Sequence, residues 1–201
     1  VTAATTANLL GGADADICTV SGATLTGSIN GEAGVDILQG TSIDNVTLTG
    51  SGANGFTGTE ANVTLGFSGI DTITGNSGTI TGQDVASTWT LNGAPTYSNG
   101  THTLNLTGFA NLQGGSDVDT FNVTAASAFN LFGGVGADIF SVNATLTGSL
   151  NGESGSDTLQ GTAINNVVLT ASNANGFSGT ETDITANFTG INTINGSGGT
   201  L

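Results

Sequence analysis

Residues 131–140 read LFGGVGADIF, and a phrase of the same kind stands on either side of them. LQGGSDVDTF begins at Leu112 and LNGESGSDTL begins at Leu150, so Leu131 lies midway and the three phrases are evenly spaced. A fixed period of about 20 residues indicates that each copy is one structural unit stacked on its neighbour. In β register, equivalent residues recur every ~4.8 Å, so a residue common to the phrases forms a column. The phrases share one aspartate each: Asp119, Asp138 and Asp157.

Apolar residues spaced by 19 or 20 carry this short period through most of the chain. The markers are Leu9 or Leu10, Ile29, Leu48 and Phe67, and then Leu112, Leu131, Leu150, Leu169 and Phe188. Between these two series the rhythm loosens, and Leu91 is the best marker there. Each marker predicts one coil, which gives about six coils over residues 1–122 and about ten in the chain.

A longer period of about 122 residues contains the short one. VTAATTANLLGG from Val1 returns as VTAASAFNLFGG from Val123, and residues 24–80 align with residues 145–201 at 36 of 57 positions. We therefore divide the chain into a first long repeat, 1–122, and a partial second repeat, 123–201, that continues the same architecture. Val1 falls within a repeat and no signal peptide is visible there, so we expect a piece of a longer or processed chain.

The local pattern is that of short strands. Phe121 and Val123 point one way and Asn122 the other, and residues 140–142 repeat this alternation. Glycine and asparagine separate the strands, and no window shows helical apolar spacing without glycines in it. We predict an all-β fold, a right-handed parallel β-solenoid with columns of Leu, Ile, Val and Phe as its core. The alternative is a β-sandwich of about 100 residues per domain, but sandwich loops vary in length and the 19-residue spacing does not.

The composition limits the partners. The 201 residues include 15 acidic residues and no Lys or Arg, which gives a formal charge of −15. Phosphate groups are neutralised by Lys and Arg, so we expect no nucleic-acid partner and no binding to anionic membrane surfaces. No apolar run approaches the ~18 residues that span a bilayer, so we expect no membrane insertion. Because the chain contains no Lys or Arg, it has no such side chain to neutralise a column of carboxylates.

Two of the phrases, GGVGADIF (133–140) and NGESGSDTL (151–159), resemble the calcium-binding nonapeptide of RTX repeats, G-G-x-G-x-D-x-U-x. Looser matches are NGEAGVDIL (30–38), GGADADIC (11–18) and GGSDVDTF (114–121). The resemblance implies tight turns in which aspartates and backbone carbonyls bind calcium between coils. The chain departs from the family because RTX coils carry a nonapeptide on each side, whereas these coils have at most one.

Charge repulsion independently favours a bound cation. Two carboxylates ~5 Å apart repel by roughly 3 kcal/mol at an effective dielectric constant of about 20. Calcium accepts about six to eight oxygen ligands and suits carboxylates and carbonyls. The alternative is a solvated column of Asp and Asn, stabilised by backbone hydrogen bonds and bulk cations. The expected structural calcium ligands are Asp117, Asp119, Asp138, Glu153 and Asp157, and in the first repeat Asp14, Asp16, Glu32 and Asp36.

The irregular segment 81–111 holds the other candidates. Trp89 and Tyr97 either form a sugar-stacking surface, with His102 beside them, or fill a widened coil. His102 is the single histidine, so a catalytic or metal-binding role lacks a second histidine, and we expect an exposed loop position.

We expect no enzymatic activity. Polysaccharide-cleaving β-helix enzymes use a basic residue or convergent carboxylates, and repeated aspartates point to structure. Ice binding by Thr-x-Thr pairs such as Thr24/Thr26 and Thr145/Thr147 is a further alternative, but the pairs do not fall at one phase of successive coils.

The long repeats, the RTX-like phrases and the missing basic residues together resemble giant repetitive bacterial surface proteins of the haemagglutinin-like and RTX adhesin types. The resemblance implies a secreted protein of the bacterial cell surface. We expect a segment of an extracellular rod or filament that is rigidified by calcium. It associates end to end with further copies or continues covalently into further repeats. The alternative is a carbohydrate-binding adhesin module that contacts glycans or a cell surface.

Overall fold

The computed structural model describes residues 1–198, which contain strands, turns and loops and no helix. This confirms the prediction of an all-β protein. Within the same residues, no helix has the length and apolar character needed to cross a membrane. The strands are β1 (Thr5–Thr6), β2 (Leu9–Gly12), β3 (Ile17–Thr19), β4 (Leu25–Thr26), β5 (Ile29–Glu32), β6 (Ile37–Gln39), β7 (Val46–Gly52), β8 (Gly55–Glu60), β9 (Val63–Ile70), β10 (Thr72–Thr74), β11 (Thr79–Thr81), β12 (Ser87–Leu91), β13 (Thr96–Ser98), β14 (Thr103–Thr107), β15 (Asn111–Gln113), β16 (Asp119–Val123), β17 (Asn130–Gly136), β18 (Ile139–Val142), β19 (Leu150–Gly155), β20 (Thr158–Gln160), β21 (Val168–Asn173), β22 (Gly176–Glu181), β23 (Ile184–Ile191) and β24 (Thr193–Asn195).

The chain forms two compact units, which are described separately. Unit 1 comprises Val1–Gln83 and Thr96–Ala110, and unit 2 comprises Asp84–Pro95 and Asn111–Leu201. These units group residues by their contacts, whereas the long repeats group them by sequence similarity. The division of the sequence at residue 122 therefore stays a prediction.

Parallel pairing in unit 2 follows the short period. Strands β15, β17 and β19 pair in that order, and they place Leu112, Leu131 and Leu150 at one register position. Strands β16, β18 and β20 pair in the same way and align Phe121, Phe140 and Leu159. Hydrogen bonds between adjacent coils join residues 19 positions apart, which confirms the predicted spacing for these coils.

Unit 1 has the same parallel arrangement with a slightly longer step. Strand β2 pairs with β5 and aligns Leu9 with Ile29, and β3 pairs with β6 and aligns Cys18 with Leu38. The next partners in the two series are more distant in sequence, because Ile29 aligns with Phe67 and Leu38 aligns with Ile73. An insertion therefore separates these coils.

The insertion is a three-stranded antiparallel meander, and it occurs in both units. Strands β7, β8 and β9 form it in unit 1, and β21, β22 and β23 form it in unit 2. Leu150 consequently aligns with Phe188 and not with Leu169. The expectation that Leu48 and Leu169 continue the columns of Ile29 and Leu150 is wrong, because both residues lie in strands that pair antiparallel with β8 and β22. Strand β7 also pairs in parallel with β11.

Aligned apolar side chains form the core of each unit. In unit 2 the rings of Trp89, Phe121 and Phe140 stack with centroid distances of 5.7 and 5.0 Å and interplanar angles of 6° and 8°. In unit 1 the buried series includes Leu38, Ile73 and Leu106. Burial of each such side chain contributes about 1.5–3 kcal/mol, so a fixed register places this stabilisation in every coil.

Candidate functional site

A column of buried aspartates runs through unit 2 beside the first residues of β16, β18 and β20. The backbone N–H of Asp119 donates to Oδ1 of Asp138 at 2.8 Å, and the N–H of Asp138 donates to Oδ1 of Asp157 at 2.9 Å. All three side chains are fully buried. Because the strands are parallel and in register, one carboxylate in each coil accepts a hydrogen bond from the preceding coil. We call this column the aspartate ladder of unit 2.

Neutral side chains terminate the ladder. The hydroxyl of Ser87 donates to Oδ1 of Asp119, and the N–H of Asp157 donates to Oδ1 of Asn192 at 2.8 Å. The other oxygen of Asp119 accepts the N–H of Gly115 at 2.7 Å. Both oxygens of Asp119 are therefore hydrogen-bonded.

Unit 1 contains a shorter ladder of the same kind. The N–H of Asp16 donates to Oδ1 of Asp36 at 2.8 Å, and the N–H of Asp36 donates to Oδ2 of Asp71 at 2.9 Å. Asp36 is buried, whereas Asp16 and Asp71 are partly exposed. The same coil-to-coil bond thus recurs in both units.

The second carboxylate oxygen lies against a glycine in each coil. A Cβ built on Gly31 would lie 2.5 Å from Oδ2 of Asp36, so an alanine does not fit there. Glycines 133 and 152 stand in the same relation to Asp138 and Asp157. The second oxygens of Asp36, Asp138 and Asp157 are buried and have no hydrogen-bond partner among the described residues. A buried carboxylate oxygen without a partner is costly, so these positions favour a bound cation.

The pKa values in unit 2 reflect this environment. Burial raises the pKa of Asp138 to about 7; the hydrogen bond from Asp119 opposes the shift, and the charges of Asp119 and Asp157 reinforce it. Burial also raises the pKa of Asp119, against the hydrogen bonds from Ser87 and Gly115, and burial raises the pKa of Asp157. The ladder therefore favours proton uptake when no other cation is bound.

The expected calcium ligands fall into three groups. Asp119, Asp138 and Asp157 align in unit 2, and Asp16 and Asp36 align in unit 1, whereas Asp14 and Asp117 lie on exposed turns. Glu32 and Glu153 have left-handed backbone conformations, with φ of 68° and 67°. Oε2 of Glu153 accepts the side-chain amide of Gln113 at 2.8 Å. Asp36, Asp119, Asp138 and Asp157 are buried, so this part of the column is not solvated, whereas the backbone hydrogen bonds that the alternative expected are present.

The ladder oxygens match calcium in type. A Cβ built on Gly133 would overlap Oδ2 of Asp138 and would lie 2.6 Å from the carbonyl oxygen of Gly152, so both oxygens pack against this glycine. Carboxylate and carbonyl oxygens are the ligands that calcium prefers. Within residues 1–198, no three His, Cys, Asp or Glu side chains come together as a metal-holding group. A calcium ion here would thus be held by Asp138 and Asp157 together with backbone carbonyls and water.

Three ladder residues were missed from the sequence: Ser87, Asp71 and Asn192. Asp71 and Asn192 carry a recognisable signal, because GIDTI (69–73) and GINTI (190–194) share the glycine, acceptor and following apolar residue of GVDIL (34–38). They lie 35 residues beyond their partners Asp36 and Asp157 and therefore fall outside the short period. Ser87 has no comparable signal.

The aromatic residues of segment 81–111 occupy the core. Trp89 and Tyr97 are fully buried, so their ring faces do not form the expected sugar-stacking surface. The Tyr97 hydroxyl accepts the backbone N–H of Gln83 at 2.9 Å. His102 is partly exposed, and its ring meets that of Phe56 edge to face at 6.3 Å.

A shallow polar groove recurs at equivalent positions in the two units. In unit 1 its lining includes Asn30, Asn54, Thr57 and Ser68, beside the turn between β7 and β8. In unit 2 the corresponding residues are Asn151, Asn175, Ser178 and Thr189. Both grooves present amide and hydroxyl groups.

Comparison with known proteins gave no similarity: no family model, curated protein or solved structure matches this chain.

Proposed function

We propose that the chain is a segment of an extracellular structural rod, built as a right-handed parallel β-solenoid. The parallel strands, which pair at steps of 19 or 20 residues in the regular coils, support the solenoid. The bacterial cell-surface location is proposed from the resemblance of the Gly–Asp phrases alone.

The aspartate ladder is the observation that carries this proposal. Each coil donates a backbone N–H to a carboxylate of the next coil, as Asp119 donates to Asp138. A coil therefore completes its buried hydrogen bonds only when a neighbour of the same type follows it. Repeated units that depend on their neighbours in this way suit a load-bearing array rather than a single recognition site.

Calcium is part of the proposal because of the ladder's second oxygens. Oδ2 of Asp138 and Oδ2 of Asp157 are buried without a hydrogen-bond partner among the described residues. A cation between coils neutralises adjacent carboxylates that repel each other by roughly 3 kcal/mol at about 5 Å. We therefore propose that calcium links successive coils and rigidifies the rod.

Electron microscopy of tandem arrays tests the rod. Chains with increasing numbers of the 122-residue repeat are expected to form particles of constant width and increasing length, at ~4.8 Å for each added coil. Arrays that collapse into separate beads or widen with repeat number contradict the solenoid.

Thermal unfolding tests calcium. The melting temperature of the 201-residue chain is expected to rise with calcium, relative to chelator, and to rise less with magnesium, which binds fewer oxygens at fixed geometry. Asp138→Asn removes one carboxylate from the ladder and is expected to reduce the calcium effect, whereas Asp84→Asn, which changes an exposed aspartate outside the expected ligand set, leaves it unchanged. Equal melting temperatures in calcium and chelator contradict the cation proposal.

The recurring polar groove favours a second candidate, a carbohydrate-binding adhesin module. Amide and hydroxyl side chains such as Asn175 and Ser178 supply the hydrogen bonds that sugars accept and donate. A glycan array with the wild-type chain and with Asn175→Ala tests it. Absence of glycan binding by the wild-type chain contradicts this candidate and leaves the rod intact.

A further inference from the structure

The two antiparallel meanders have nearly the same sequence but differ in exposure. Leu48 is 2% exposed in unit 1, and its counterpart Leu169 is 50% exposed in unit 2. Phe56 is fully buried, whereas its counterpart Phe177 is 44% exposed. The difference covers two large apolar side chains on one face of the meander.

Other apolar and acidic positions of the meander are packed alike in the two units. Glu60 and Glu181 are 5% and 4% exposed, and Val63 and Ile184 are both 1% exposed. The second meander is therefore formed and seated like the first. The two meanders differ in whether other residues cover the face that carries Leu48 and Phe56, or Leu169 and Phe177.

In unit 1 the segment 96–110, which contains β13 and β14, covers Phe56, and β7 also pairs in parallel with β11. The ring of Tyr97 meets that of Phe56 edge to face at 5.6 Å, and the ring of His102 lies 6.3 Å from it. The side-chain amide of Asn99 donates to the hydroxyl of Ser51 on β7 at 2.8 Å. Aromatic contacts and a hydrogen bond thus fix this segment over the meander.

A second contact of the same segment points to the same gap in unit 2. A Cβ built on Gly75 would lie 2.5 Å from the ring of Phe109, so the glycine makes room for that ring. The counterpart Gly196 is exposed, and among residues 1–198 a Cβ built there would meet only the Ile164 carbonyl, at 3.0 Å for its oxygen. Unit 2 therefore keeps the glycine that makes room for a phenylalanine ring, but among the described residues no ring lies against it.

We propose that the surface formed by Leu169, Phe177 and Gly196 is a docking site for a β-hairpin with the sequence of residues 96–110, supplied by the continuation of the second long repeat. The proposal rests on the proposed rod function, and it names the partner that extends the array.

The charge of the hairpin and the lack of another free hairpin support this occupant. Residues 96–110 contain no acidic residue, so the hairpin brings no further negative charge to a chain with a formal charge of −15. A second copy of the 201-residue chain is a poorer occupant, because its own segment 96–110 already covers Phe56 of that copy. The hairpin that completes the second repeat has no other meander to cover.

Hydroxyl-radical footprinting tests the docking site in the 201-residue chain and in the same chain extended after Leu201 by residues 81–122. Cleavage after glutamate releases the matched peptides 33–60, with Leu48 and Phe56, and 154–181, with Leu169 and Phe177. In the unextended chain, oxidation of Leu169 and Phe177 is expected to exceed that of Leu48 and Phe56 several-fold. The extension is expected to lower it to the level of the unit 1 pair.

The control extension carries serine at the positions that copy Tyr97 and Phe109, and it is expected to give no protection. A free peptide of residues 96–110, added to the unextended chain, gives a second route that does not depend on folding of the extension. The proposal is overturned if neither the extension nor the peptide protects Leu169 and Phe177. It is also overturned if the unextended chain already protects them and loses this protection on dilution, because a second copy is then the occupant.

Failure of the rod proposal gives a different result. Tandem arrays that do not lengthen in electron microscopy contradict the rod, whereas unprotected Leu169 and Phe177 in arrays that do lengthen contradict only the docking site.

Discussion

Oδ1 of Asp138 accepts the backbone N–H of Asp119 at 2.8 Å, while Oδ2 of Asp138 is buried without a hydrogen-bond partner among the described residues. One oxygen of this carboxylate therefore holds two coils together, and the position of the other favours a bound cation. The consequences of the two roles are separable by substitution.

Replacing Asp138 by alanine leaves the buried N–H of Asp119 unsatisfied, and we expect a loss of about 1–3 kcal/mol in the free energy of unfolding. Asp138→Asn keeps an acceptor oxygen, as Asn192 does for Asp157, and is expected to retain most of the stability in chelator. Urea unfolding measures both, with exposed Asp117→Asn as the control, expected within about 0.5 kcal/mol of wild type. Equal stability of the Ala and Asn variants contradicts the ladder's role.

The stability of the metal-free chain should fall as pH rises through neutrality. The pKa of Asp138 is about 7 in the folded chain because of burial, against ~4 when unfolded, so the folded state binds this proton more tightly. The stabilisation is fully present below pH ~4 and is lost as pH rises to about 7, by at most roughly 4 kcal/mol. Urea unfolding in chelator across this range measures it.

Asp138→Asn removes the titrating group and should flatten this pH dependence. If the stability of the Asp138→Asn variant depends on pH as strongly as that of the wild type, another group is responsible for the titration.

A side chain at Gly152 should break the packing of the ladder. A Cβ there would overlap Oδ2 of Asp157 and the carbonyl oxygen of Gly190, so Gly152→Ala is expected to cost about 2 kcal/mol or more in the free energy of unfolding. The matched control is Gly52→Ala, where a Cβ meets nothing within 4 Å. Chemical denaturation of both variants tests the contact, and equal stability of the two refutes it.

Equivalent phenylalanines in the two meanders should respond differently to truncation. Phe56 is fully buried beneath Tyr97, so Phe56→Ala is expected to cost about 3–5 kcal/mol. Phe177 is partly exposed, and Phe177→Ala is expected to cost about 1 kcal/mol or less. The comparison uses urea unfolding of the 201-residue chain, and similar costs contradict the difference in cover.

The short period predicted the parallel register of the regular coils because a column requires constant spacing. Leu112, Leu131 and Leu150 align as their spacing indicates. The meanders were missed because strand alternation is the same in parallel and antiparallel sheets, and Leu169 happens to keep the spacing. The available signal was the Asn-Gly pair at residues 54–55 and 175–176, which favours a tight hairpin turn.

The aspartates were found from the sequence, but their environment was not. Spacing places Asp138 and Asp157 in one column, but it does not determine whether that column faces solvent or the interior. The glycines that admit the carboxylates, such as Gly133 before Asp138, also match an ordinary turn signal. Side-chain burial depends on the path of the turn, which three-dimensional structure provides.

The burial of Trp89 against Phe121 has a spectroscopic consequence. Trp89 is the single tryptophan and belongs to unit 2, whereas Tyr97 is the single tyrosine and belongs to unit 1. Each unit thus carries its own intrinsic chromophore in a buried position. Indole fluorescence and tyrosine absorbance can follow the two units separately in one unlabelled sample, so the cooperativity of their unfolding can be measured directly.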